Sequence, residues 1–183
     1  LTSRTGAEGH FIGSRGANVR RAPHSSATPS TLIIGFGNIL LGDDGAGVQL
    51  VELLRTQLPD NRCEFVDGGT MSFTLLSYVE AAEAMLVIDA ADLGEPAGFT
   101  QLFENETMDR FLRSTRRRTV HEVGLLDLLD MARLQDCLPR RRALLCIQPA
   151  LLDWSESLSP PVAAALARAS AQARELLSRW SVT

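Results

Sequence analysis

Four side chains in this sequence have the types and settings that chemistry needs: Asp44, Asp67, Asp89 and His121. Asp44 belongs to the pair Asp43-Asp44 in "GFGNILLGDDGAG", a glycine-rich stretch between an apolar run and an amphipathic one. Asp67 follows the apolar end of "FVDGG", Asp89 ends "LVID", and His121 opens "HEVGLLDLL". Two carboxylates and one imidazole from separate loops suit a divalent metal such as nickel or zinc, with room left for other ligands. His121 is the one histidine outside the N-terminal segment that carries His10 and His24, so any imidazole chemistry runs through it. Each residue also has a plainer reading. An aspartate before Gly68-Gly69 is a turn former, an aspartate near a helix start is a cap, and a histidine before a helix is a cap or a surface residue. What favours the metal reading is convergence at one edge of a sheet.

The glycine-rich stretch departs from a dinucleotide loop. Gly35 and Gly37 fit the first two positions of G-x-G-x-x-G, but Leu40 stands at the third, where close helix–strand packing wants glycine. Asp43 and Asp44 then fall near a helix start, whose partial positive charge attracts anions. Two carboxylates already in that field repel a pyrophosphate. The loop suits a cation better, with Asp43 capping the helix and Asp44 facing outward.

Other mechanisms lack their residues. The chain has no lysine, hence no Schiff-base or P-loop lysine, and neither a G-x-S-x-G elbow nor H-E-x-x-H. Ser72 and Ser77 lie in a helical pattern with no base in view. Cys63 and Cys146 read as buried strand thiols, and nothing favours a pair of Cys137 with the histidine. If the chain is a hydrolase, metal-assisted attack by water is the best remaining mechanism. The net charge of −4 argues against nucleic acid. Three scattered cysteines suit a reducing, cytoplasmic setting. No run approaches the roughly 18 apolar residues of a membrane span.

These residues need elements to hold them. Residues 1–30 are rich in Ser, Gly, Arg, Ala and Pro and read as a disordered extension or an expression remnant; a transit or twin-arginine leader is the discounted alternative. From Thr31 strands and helices alternate. "TLIIGFG", "CEFVDGG", "AMLVIDAAD" and "RRALLCIQ" are buried strands, and "GFTQLFEN" is a more amphipathic strand, antiparallel or at an edge. Helices are expected over "DDGAGVQLVELLRTQL", "TMSFTLLSYVEAA" with Thr70 as cap, "HEVGLLDLLDMARL", and "SPPVAAALARASAQARELLSRW" with Ser159 as cap and Pro160 in the first turn. "RFLRSTRRRTV" reads as a polar loop, with Arg116 to Arg118 solvated or touching a partner. The pattern predicts one α/β domain over residues 31–183: three layers, α/β/α, around a twisted, mostly parallel five-stranded sheet. Sites in such sheets form at the carboxyl ends of the strands, where Asp44, Asp67, Asp89 and His121 would all project.

In order, "IIGFGNILLGDDGAGV", "FVDGGT", "LVIDAAD", "HEVGLLDLL" and "CIQPALLDWSESLSPPV" resemble the hydrogenase maturation endopeptidases, over about Leu32 to Leu177. The resemblance implies an endopeptidase that clips the C-terminal extension from the precursor of a nickel–iron hydrogenase large subunit after nickel insertion. It implies that Asp44, Asp89 and His121 contact a metal and carry catalysis, the metal being nickel held by the substrate and bound transiently. Asp44 stands where many members have glutamate, one methylene longer, and Asp43 is the alternative there. Asp67, Gly68, Gly69 and Thr70 match a motif tied to substrate recognition, and Asp43 is grouped with them. Two other readings remain open on the same scaffold: a non-catalytic metal- or nucleotide-binding module, and an unrelated peptidase holding its own zinc.

Overall fold

The computed structural model describes residues 31–58, 62–69, 75–114 and 122–181. Five strands form one sheet: β1 (Thr31–Phe36), β2 (Cys63–Gly69), β3 (Ala84–Ala90), β4 (Thr100–Glu104) and β5 (Arg141–Ile147), in the order β2-β1-β3-β5-β4. β1, β2, β3 and β5 are parallel, and β4 closes one edge antiparallel to β5. The amphipathic strand expected at an edge is therefore there. The central strand β3 is buried along its whole length, which is why it reads as an unbroken apolar run up to Asp89.

Alternate strand residues feed two cores. Ile33, Leu86, Ile88, Leu145 and Ile147 face α1 (Ala46–Gln57) and α5 (Pro160–Ser181). Ile34, Phe36, Met85, Val87 and Leu144 face α2 (Leu76–Ala81), α3 (Glu106–Leu112) and α4 (Glu122–Leu134). Three layers result, as the alternating pattern requires. Among the described residues no helix is long and apolar enough to cross a membrane.

The helix expected from Thr70 onward is described at Leu76–Ala81, and the Thr70 cap lies outside the described residues. Two expectations need correction. The Arg-rich region expected as loop begins inside a helix: α3 starts after Asn105, which adopts φ 47°, and it buries Met108 and Leu112 on one face. That i, i+4 pair was a helical signal hidden by flanking arginines. Finally, α1 does not start at the paired aspartates. Gly42–Gly45 form a 3-10 turn, Gly45 takes the cap position of α1, and no side chain caps it.

The direction of α4 matters for the site. Its C-terminus leads through residues 135–140 straight into the start of β5, so it ends at the amino edge of the parallel strands. Thirteen residues span about 20 Å at 1.5 Å each, close to the length of a seven-residue strand. The N-terminus of α4 therefore lies toward the carboxyl edge.

Candidate active site

At the carboxyl edge the chain leaves β1, turns at Gly37 and folds back on itself. Gly37 has φ +135°, and a Cβ there would meet the Asp44 carbonyl oxygen at 1.9 Å, so only glycine fits. Gly47, in the first turn of α1, is as constrained. A Cβ there would stand 2.3 Å from the Phe36 carbonyl oxygen and 2.5 Å from that of Ile88. These contacts press the 3-10 turn and the start of α1 onto the ends of β1 and β3, where Asp89 sits.

Within this fold the paired aspartates do different things. Asp43 is fully buried and turned inward. It accepts hydrogen bonds from the backbone N–H of Ala150 (2.8 Å), Leu151 (3.0 Å) and Ser159 (2.7 Å), and from the Ser159 hydroxyl (2.8 Å). Burial pushes its carboxyl up, but the donors from Ser159, Ala150 and Leu151 outweigh that and hold it below the ordinary carboxylate value. Asp43 thus ties the first loop to residues 150–159, a role in place of the helix cap expected for it. Ser159 divides its groups accordingly: its carbonyl accepts the Ala163 N–H at the start of α5, while its hydroxyl serves Asp43.

Asp44 is 3% exposed, buried at the rim rather than facing outward. Its Oδ2 accepts the Asn38 N–H at 2.8 Å. A loop amide that a phosphate would need is thereby occupied by the chain's own carboxylate, which agrees with the reading of this loop as no nucleotide cradle. Asp89 is 1% exposed and falls in register with Met85 and Val87, on the sheet face covered by α4. Asp67 is exposed; its Oδ1 accepts the Gly69 N–H at 2.8 Å in a turn where Gly69 has φ +52°. Gly68 is buried against Ile34 and Phe36. His121, Thr70 and Arg116 to Arg118 lie outside the described residues, and His121 directly precedes Glu122, the first residue of α4. Among the described residues no three His, Cys, Asp or Glu side chains stand together as a metal site.

Neighbouring loops are braced. Gln148, 8% exposed, accepts the Leu93 N–H at 2.6 Å and the Glu95 N–H at 3.3 Å, joining the loop after β3 to the end of β5. The Gly37 N–H donates to the Gly69 carbonyl at 2.9 Å, joining the first loop to the end of β2. A cleft of about 710 Å³ opens beside the first loop, lined by Ile39, Leu40, Val48, Glu52, Asp67 and Glu156 among others. A larger hollow of about 1250 Å³, between residues 80–83 and 135–141, lies at the opposite, amino edge and takes no part in the site. What sequence reasoning missed is the loop 149–159, whose amides hold Asp43. The apolar residues Leu151, Leu152 and Trp154 in an otherwise polar loop were the available signal.

Comparison with known proteins agrees with this fold. The hydrogenase maturation protease family model matches residues 48–175. The hydrogenase expression/formation protein HupM of Azotobacter chroococcum is 36% identical over 161 residues, covering 86% of this chain and 76% of that protein. The solved structure of the hydrogenase maturating endopeptidase HybD from E. coli superposes with a TM-score of 0.75 at 27% identity, covering 82% of this chain and 93% of that one. The [NiFe] hydrogenase maturation protease HybD from Thermococcus kodakarensis gives 0.71 at 27% identity, covering 80% and 98%. Sheet order, layers and relatives define an α/β endopeptidase. The chain belongs to the hydrogenase maturation protease family.

Proposed function

We propose that this enzyme removes a C-terminal extension from the precursor of a nickel–iron hydrogenase large subunit, in the cytoplasm, and that nickel already seated in the precursor is what it recognises. Asp44, Asp89 and His121 hold that substrate-borne ion, and Asp67 with Gly68-Gly69-Thr70 meets the polypeptide beside it. The observation that carries this reading is the burial of Asp44 and Asp89 at one rim, on the edge toward which the N-terminus of α4 lies. A buried carboxylate is costly unless something offsets its charge. A divalent cation arriving with the substrate brings positive charge to this rim. Hydrolysis adds water across one peptide bond, giving the mature C-terminus a carboxylate and the released tail an amine.

The cytoplasmic setting rests on three cysteines, none of them in a disulfide. The test of recognition is to incubate the enzyme with nickel-loaded and nickel-free precursor and follow the precursor's mass. The expected result is loss of the tail from the loaded form alone. Equal cleavage of both removes nickel as the recognition element.

A further inference from the structure

Eight large apolar side chains stand exposed among the described residues, and five of them come from two loops beside the site: Ile39, Leu40, Leu151, Leu152 and Trp154, the last 78% exposed. The two loops are bound to each other. The Gly42 N–H donates to the Ser155 carbonyl (2.7 Å), the Ser155 N–H to the Leu40 carbonyl (3.0 Å) and the Asp43 N–H to the Leu151 carbonyl (3.1 Å). Asp43 clamps them from below through Ala150, Leu151 and Ser159. The fold therefore holds this apolar cluster rigidly in water, where it adds nothing to the cores. A contiguous, preorganised apolar patch with an exposed tryptophan marks an interaction surface.

The charge around it selects the partner. Glu52, Asp67, Asp153 and Glu156 flank the patch or its cleft, with no arginine in the loops that carry it. Such a rim repels nucleic acid and anionic lipid. A second copy meeting it face to face would set carboxylates against carboxylates. What fits is a protein segment with apolar side chains flanked by arginine or lysine.

We propose that Ile39, Leu40, Leu151, Leu152 and Trp154 dock the body of the precursor protein through such a basic, apolar segment, leaving its tail to reach Asp44 and Asp89. This rests on the proposed function, and the experiment separates the two. Processing of nickel-loaded precursor is measured for the wild type, for a Trp154→Ala/Leu152→Ser double variant and for Glu156→Arg, with melting temperatures and sedimentation alongside. The expected result is a KM raised about tenfold in the double variant, with kcat held, since the lost contact is made equally in ground and transition states. Glu156→Arg raises KM by a smaller factor, and the wild-type KM rises with salt. If the double variant melts early, Glu156→Arg and the salt dependence decide. A wild type that processes precursor, with KM unchanged in the variants and by salt, overturns the docking surface and leaves the proposed function standing. A wild type that does not process it overturns both. A wild-type dimer that the double variant dissolves makes the patch a self-association surface and also overturns the proposal.

Discussion

The two edges of the sheet handle acidic side chains in opposite ways. At the amino edge, Asp109 of α3 is gripped by Arg142, whose Nε and terminal nitrogen donate to its two oxygens at 3.1 and 2.6 Å, with Arg133 adding a contact at 3.2 Å. Burial pushes the Asp109 carboxyl up, and the bond and charge of Arg142, then Arg133 and Arg113, bring it below the ordinary value. Arg113 and Arg133 also share Asp130. At the carboxyl edge, Asp43 is held by backbone amides and a hydroxyl, and Asp44 takes the Asn38 amide. Arginine neutralises a carboxylate; an amide orients it and leaves its negative charge in place. The first arrangement fastens α3 to the sheet and α4, whereas the second fastens the first loop to residues 150–159 through Asp43.

That contrast is broken most severely at Asp89. Asp89→Asn keeps the shape and removes the charge, so processing should fall by about a thousandfold, or about 4 kcal/mol of activation free energy, while the melting temperature holds. A timed mass assay on the precursor checks it. His121→Ala is expected to abolish processing in the same way with the fold intact; unchanged turnover would take His121 out of the site.

Asp43→Asn should act on stability instead. It presents an amide N–H to groups that all donate, and the expected cost is about 2–3 kcal/mol in urea unfolding. A variant as stable as the wild type would mean that the clamp between the two loops is slack. Arg142→Ala sharpens the comparison from the other edge. It leaves Asp109 with weaker partners and should cost about 2 kcal/mol, with kcat/KM per folded molecule unchanged.

The smallest effect is the pH response. Asp43 and Asp109 both have folded pKa values below the ordinary 3.8. Each thus adds stability that is present above about pH 4 and is lost as pH falls through the lowered folded value. Unfolding free energies at pH 6 and pH 3 should differ less in Asp43→Asn than in the wild type. An identical difference would show that Asp43 does not drive acid unfolding.

Much of this was legible in the sequence, and what was not has a physical cause. β3 declares itself because a strand covered on both faces is apolar until it reaches the rim, so Asp89 stands out at its end. The edge strand β4 shows its exposure in its mixed composition. By contrast, Asp43 and Asp44 look alike in sequence, since both are acids beside a helix start. Their roles diverge through partners as far as 107 and 116 residues away, which no local pattern encodes. The short α3 was masked by flanking arginines, of which Arg113 finds its partner, Asp130, on another helix.

The central claim is that one divalent ion is gripped by side chains from three separate segments of the chain. Crystals of the enzyme soaked with nickel, measured at the nickel absorption edge, test it directly. The account predicts one anomalous peak about 2.0–2.2 Å from a carboxylate oxygen of Asp44, a carboxylate oxygen of Asp89 and a ring nitrogen of His121. A peak elsewhere, or a well-ordered rim with His121 turned away from both carboxylates, would contradict it.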